Sequence, residues 1–440
     1  MRFYEHLTPR LASLCDDKCR SEPRMLTVVR AMERTAETLY KGIWEKAALE
    51  RHRLIKTIPA WTYLPSKAWT GIMEGYICPG CGHTKGDHRF HDADRDPFHA
   101  EITLLTVSMT AAWRATRTVY KMDERLVAEL VATPLEYMPP AEALLSLPGW
   151  CITADFPEPL ALQKRLMLGY LAQPFCSADG GTVIVAIIST LVDGRVVQQP
   201  CILPLSAGAH DCVSLESYIA GALWRSRTES TRERYRTYAE ENGFRKPENI
   251  LRDEVVGRIP PTGLAECPLD GLLDEVLDTR KIATAIISSM LYIASPHPDL
   301  LASERRATPE PQSYSTRKSA LKTAKGPVKT VVAEVGYRVG AILRHQRTTA
   351  PAVCSNPGTG TPKSPHNRSG HWHKYWRGPR DAEVSGTTGT TEKKRVPVYH
   401  WIPPIIVNAD KTGPDGITPV VRRVAPEKDD GDGNITLLVG

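Results

Sequence analysis

Apolar residues at Leu26, Val29, Met32, Ala36, Leu39, Ile43 and Ala47 recur every three or four positions. The spacing predicts a long amphipathic helix from a Ser21-Glu22-Pro23 start to about Lys56, with a serine N-cap and an early proline. Residues 61–69 read as a loop. Pro97 opens a second helix with Leu104, Val107, Ala111 and Ala115 on one face, and two shorter helices follow at Asp123–Val131 and Ala141–Leu147. The character changes at Leu147-Pro148-Gly149-Trp150-Cys151. Cys151–Ala154 reads as a strand. The β-branched run Gly181–Val192 ends in Asp193-Gly194, a strong hairpin signal, and returns along Arg195–Leu205. Helices are expected at 214–225 and 270–294, the latter on Leu272, Leu273, Val276, Ile282, Ile286 and Leu291.

Beyond residue 301 the pattern thins. Residues 302–329, rich in Ser, Thr, Pro and Lys, read as a linker, and residues 348–364 as a second flexible stretch. Between them lie an expected strand, Val331–Tyr337, and a short helix, Val339–Gln346. Gly370–Trp376 then alternates strictly: His371, His373 and Tyr375 fall on one side of a strand, Trp372, Lys374 and Trp376 on the other. Arg395–Val407 reads as its partner, and Pro397, Pro403 and Pro404 confine it to an edge or a bulge. The polar, Gly/Asp-rich residues 409–440 read as a mobile tail. The expected fold class is α+β: a helical N-terminal part (1–146), a mixed central part with an antiparallel hairpin (147–301), a linker (302–329) and a basic C-terminal sheet (330–408).

Composition refines this picture at two points. No run approaches the roughly 18 apolar residues of a membrane span, and the N-terminus lacks a signal-peptide core. The expectation is therefore a cytoplasmic protein, with no membrane partner and with its ten cysteines mostly reduced. The net charge of +6 conceals an asymmetry: residues 301–400 carry 18 Lys/Arg against 6 Asp/Glu, a balance of +12, which leaves −6 for the rest. A basic C-terminal third suits a polyanion such as RNA, or an acidic protein face. No P-loop or GxGxxG is present, and no DxD-type carboxylate pair stands out as a catalytic motif.

Three of the nine tryptophans and four of the thirteen histidines lie between Pro365 and Asn408. His366, Arg368, His371, His373, Tyr375, Arg377 and Trp401 form the candidate functional surface, with Trp372, Trp376 and Trp401 expected to pack inward as its support. Imidazoles that titrate near neutrality, flanked by cations, suit a phosphate-bearing or peptide ligand. They also suit a metal-independent ribonuclease, in which one group takes the 2′-hydroxyl proton and another protonates the leaving oxygen. The bland alternative is a structural hairpin.

A second constellation is Cys78-Pro79-Gly80-Cys81-Gly82-His83. Two thiolates at this spacing can hold zinc, with His88 and His91 nearby to complete a tetrahedron, so a structural zinc and a zinc-stabilised nucleic-acid-binding protein are among the readings. The bland alternative is a polar loop with two free thiols. Trp150-Cys151 reads as a core tryptophan beside a buried thiol. Ala112-Trp113-Arg114 reads as packing, with Arg114 able to extend from its helix toward a partner.

The run His366-x-Arg368-x-Gly370-His371-Trp372-His373-x-Tyr375-Trp376-x-Gly378, closed by Trp401, Pro404 and Val407-Asn408, resembles the type V-A anti-CRISPR family that suppresses production of the CRISPR effector nuclease. Ala112-Trp113-Arg114 through Tyr120-x-Met122-Asp123-Glu124, and Leu147-Pro148-x-Trp150-Cys151, fit the same family, so the likeness runs from about Leu104 to Asn408. Cys78–His91 is an addition to the family pattern, and Asp381–Lys394 lengthens the hairpin loop. The resemblance implies a protein of a mobile element, phage or plasmid. It would recognise the nascent polypeptide of a CRISPR effector at the ribosome and trigger degradation of the encoding mRNA. It supplies no catalytic residue.

Overall fold

The computed structural model describes Leu7, Leu11 and residues 22–77, 97–135, 139, 141–162, 165–176, 182–192, 195–204, 229–246, 250, 269–302, 314–326, 330–349, 366–377 and 396–407. The protein is α+β, as its sequence pattern predicts. The expected zinc loop (Cys78, Cys81, His83, His88, His91), the 214–225 helix, the Asp193-Gly194 turn and the tail lie outside the described residues.

The first predicted helix is two. Helix α1 (Arg24–Leu39) stops at Tyr40, and Gly42, at φ 78°, turns the chain into α2 (Ile43–Leu54). A left-handed backbone is cheap at glycine alone, so apolar periodicity runs through a break that backbone geometry enforces. The N-cap position is Pro23, which offers no side-chain cap, and the expected Ser21 cap lies outside the described residues. Its Met25 N–H is instead accepted by Asp155, 130 residues away. The stretch read as a loop holds α3 (Ser66–Met73), and Pro97 opens α4 (Pro97–Thr116) as its sequence predicts.

Strand β1 (Thr118–Met122) follows directly, then α5 (Glu124–Ala132), capped by Asp123, and α6 (Ala141–Leu145). Strands β2 (Ile152–Ala161), β3 (Leu166–Cys176), β4 (Thr182–Val192) and β5 (Arg195–Pro204) form an antiparallel meander. Helix α7 (Glu229–Glu241) buries Tyr235 and Ala239 with Ile250. Helix α8 (Leu269–Ala294) leads into the short β6 (Leu300–Ala302). Part of the expected linker is ordered: α9 (Arg317–Lys325) carries a Thr316/Ser319 capping box, and Tyr314 before it is buried. A capping box is legible only once a helix is suspected, and α9 shows too few apolar positions to raise the suspicion. Strand β7 (Val331–Val335) and α10 (Tyr337–Thr349) follow.

The seven strands form one mixed sheet in the order β5-β4-β3-β2-β1-β7-β6. The meander is antiparallel, whereas β1 runs parallel to both β2 and β7. One sheet therefore draws strands from residues 118–122, 152–204, 300–302 and 331–335, across the divisions at 146 and 301 and beyond the 302–329 segment. Helices cover both faces. Leu171, Phe175, Val185 and Ile187 join α1–α4 in one core; Tyr170, Ala172, Ile184, Ala186 and Ile188 join α5, α6 and α8 in the other. This is why β3 and β4 read as continuous apolar runs: neither face meets water. Two hydrogen bonds pin β3 to both layers, Gln173 Nε2 donating to Ser108 Oγ at 3.3 Å and the Tyr170 hydroxyl donating to Ser289 Oγ at 2.6 Å, the serine's own proton going to the Ala285 carbonyl.

Candidate functional site

The basic hairpin sits on the α5/α6/α8 side. Strand β8 (His366–Arg368) pairs with β11 (Ile405–Val407), and β9 (His371–Arg377) with β10 (Val396–Ile402), both antiparallel. Gly370 joins the two ribbons at a close approach. A Cβ there would lie 3.2 Å from both Pro404 Cδ and Trp401 Cζ2 and 3.3 Å from the Ile402 carbonyl.

Trp401 anchors the hairpin. It is 3% exposed, meets Tyr292 of α8 edge-on with ring centroids 6.1 Å apart, and donates from Nε1 to Thr133 Oγ1 at 3.0 Å. Thr133 in turn donates to the Glu129 carbonyl, so the hydroxyl is satisfied on both sides. Trp372 lies opposite Trp401 in register and packs half-buried against the same core. Trp376, four residues along the same face, does not. It is 43% exposed, and the Lys374 ammonium lies 4.6 Å from its ring centroid. The expectation of three supporting tryptophans thus holds for Trp401 and Trp372. Trp376 departs from it because the hairpin runs past the edge of the core that its other end covers.

The opposite face carries the predicted group and one residue that strand-by-strand reading missed. His371, His373 and Tyr375 fall together, with His373 and Tyr375 rings 4.3 Å apart. Register places Ile402, His400 and Val398 opposite them. His400 is therefore the cross-strand neighbour of His373. It stays exposed, but burial of part of its ring, then the nearby His297 and His373, hold its pKa below the ordinary imidazole value. The signal for His400 was available: pairing Gly370–Trp376 with Arg395–Val407 in a definite register gives it. His297, after α8, had no such signal. Arg368 is exposed on β8; the backbones of His366 and Arg377 occupy β8 and β9. Among the described residues, no group of three or more His, Cys, Asp or Glu is placed to hold a metal ion.

The two upstream motifs are interior. Arg114 ion-pairs with Glu33 of α1, lies 5.2 Å from the Trp44 ring centroid and donates to the Ala324 carbonyl of α9 at 2.8 Å. Burial, then Arg117, lowers its pKa to about 10, so it remains a cation at neutral pH. It fastens three helices instead of extending toward a partner. Trp150 is buried under Arg51, whose guanidinium carbon lies 4.7 Å from its ring centroid, and against Tyr63 and Tyr314. Cys151 is wholly buried and its thiol is pushed up to about 12 by burial, as suits a packing residue and not a nucleophile. No described helix is long and apolar enough to cross a membrane.

No curated protein matches the chain. Among solved structures, the crystal structure of AcrVA2 is similar over 86% of this chain and 98% of that one, at 15% sequence identity and a TM-score of 0.46. The AcrVA2-like family, described as the anti-CRISPR type V subtype A2 family, matches residues 120–409, from β1 through the end of the hairpin. That span is 290 of the 440 residues, and the chain belongs to the anti-CRISPR type V subtype A2 family.

Proposed function

We propose that this chain lowers production of a CRISPR effector nuclease by recognising the effector's nascent polypeptide at the ribosome and bringing about loss of the encoding mRNA. The observation that carries the reading is the family match across residues 120–409, which takes in the whole described hairpin. The functional surface in this proposal is the hairpin face of His371, His373 and Tyr375, to which register adds His400, together with Arg368 exposed on the adjoining ribbon. It stands on a buried anchor, so it can present side chains without being part of the core. The cationic and imidazole character of this face suits contact with a translating complex, where both an emerging chain and its message are at hand.

The test is co-expression of the full-length chain with a type V-A effector, followed by pull-down of ribosomes bound to the tagged protein and sequencing of the attached messages. Enrichment of the effector message on those ribosomes, with a fall in its total level, is the expected result. Unchanged message and protein levels alongside loss of effector activity would place the action on the finished nuclease and overturn the proposal.

A further inference from the structure

Three features of the segment that ends in the hairpin are not explained by the family assignment. Between Glu334 and Asp381 the chain has eight Lys/Arg and not one Asp or Glu. Among the described residues, the exposed aromatic side chains, Tyr337, Tyr375 and Trp376, all fall inside this stretch, at 56%, 48% and 43% exposure. At the hairpin end each ring is backed by a basic group: His373 lies against Tyr375 at 4.3 Å, and the Lys374 ammonium lies 4.6 Å from the Trp376 ring centroid.

Single exposed apolar side chains are ordinary, but two consecutive large rings at the end of a basic ribbon form a candidate contact surface. Tyr375 and Trp376 are consecutive on β9, so they stand on opposite faces of the ribbon, and the end is a ridge instead of a concave apolar pocket. A ridge with a ring on each side does not match the groove that encloses a peptide side chain. It does match a platform for unstacked bases, since every base has a π-face and its phosphate needs a nearby cation. The Lys374 ammonium lies over one face of the Trp376 ring, so a base stacking there would take its place and leave the displaced cation beside the phosphate. We propose that the Tyr375/Trp376 end of the hairpin binds single-stranded RNA by stacking, with Lys374 as its phosphate contact. The biological setting, in which that RNA is the message under translation, rests on the function proposed above; the binding itself does not.

The experiment uses the purified full-length chain and a fluorescent uridine oligomer of roughly 20 nucleotides, read by anisotropy against a duplex of equal length. Wild type should prefer the single strand. Trp376→Ala and Tyr375→Ala should each weaken it about tenfold, within the usual range for loss of one stacked base. Lys374→Ala should weaken it and lower the dependence of log affinity on log salt by roughly one contact. Unchanged melting temperatures show that the variants fold. Absence of wild-type binding, equal binding to duplex, or aromatic variants that bind like wild type would each overturn the proposal. Loss of effector suppression in those variants with RNA affinity intact would do so too, and would assign the ridge to the polypeptide. Because the oligomer assay contains no effector, failure of the nascent-chain reading leaves its result interpretable.

Discussion

Asp155 Oδ1 accepts the backbone N–H of Met25 at 2.7 Å, so a carboxylate on the central strand β2 caps the N-terminus of α1. Asp155 is 2% exposed, and burial raises its pKa to about 6, against the opposing pull of the Met25 N–H, Arg24 and Lys121. The folded protein thus holds this proton more tightly than the unfolded chain does. Its contribution to stability is greatest below about pH 4, declines as pH rises to about 6 and is level above. Asp155→Asn keeps an oxygen for Met25 and removes the buried charge. It should stabilise the protein at pH 7 by about 1–3 kcal/mol, the upper value being roughly two pKa units at 1.4 kcal/mol each. The gain should vanish near pH 4. Urea midpoints of both proteins across pH 4–8 check this; a difference that does not vary with pH would show that Asp155 does not titrate in this window.

The hairpin anchor and the hairpin end should respond differently to truncation. Trp401→Ala removes a buried ring and should cost about 3–5 kcal/mol. Trp401→Phe keeps a smaller aromatic ring but leaves Thr133 Oγ1 without its donor and a small cavity beside it, at about 1–3 kcal/mol. Trp376→Ala, at an exposed position, should fall within about 0.5 kcal/mol of wild type. Chemical denaturation of the three variants gives the order directly.

Gly340 sits in the first turn of α10, where a Cβ would come within 2.0 Å of Asp123 Oδ1. That carboxylate also caps α5 through the Arg125 and Leu126 amides and accepts from Arg344 at 2.8 Å. Gly340→Ala must push α10 or the cap aside and should destabilise by about 1–3 kcal/mol, despite the better helix propensity of alanine. A rise in melting temperature would mean that the two elements separate easily.

His371→Ala and His373→Ala change side chains on the outer face of β9 and should leave melting temperature nearly unaltered while abolishing target suppression in cells. Full suppression by both variants would move the functional face elsewhere. Purified wild type should show no RNA cleavage in the same series; cleavage lost with either histidine would instead make the hairpin a nuclease.

The Cys78-x-x-Cys81 loop is expected to hold one structural zinc, with His88 and His91 as the further ligands. Elemental analysis of the purified protein should give near-stoichiometric metal that is lost in a Cys78→Ser/Cys81→Ser double variant. A metal-free wild type whose melting is indifferent to chelators would end the idea.

The sequence by itself determined the local elements whose apolar spacing is continuous: α4, α5, α8, the β4–β5 hairpin, and the alternation that sorts His371, His373 and Tyr375 from Trp372 and Trp376. Periodicity is a local property, and these segments follow it. Only the tertiary structure decided what depends on partners far along the chain. Asp155 caps α1 across 130 residues. Arg114 is enclosed by Glu33 and the Ala324 carbonyl. β1, too short for its own pattern, gains its place between β2 and β7 by parallel pairing. The same holds within the hairpin. Alternation puts Trp372 and Trp376 on one face, but the extent of the helical layer beneath that face decides that one packs against the core and the other stays exposed beside Lys374.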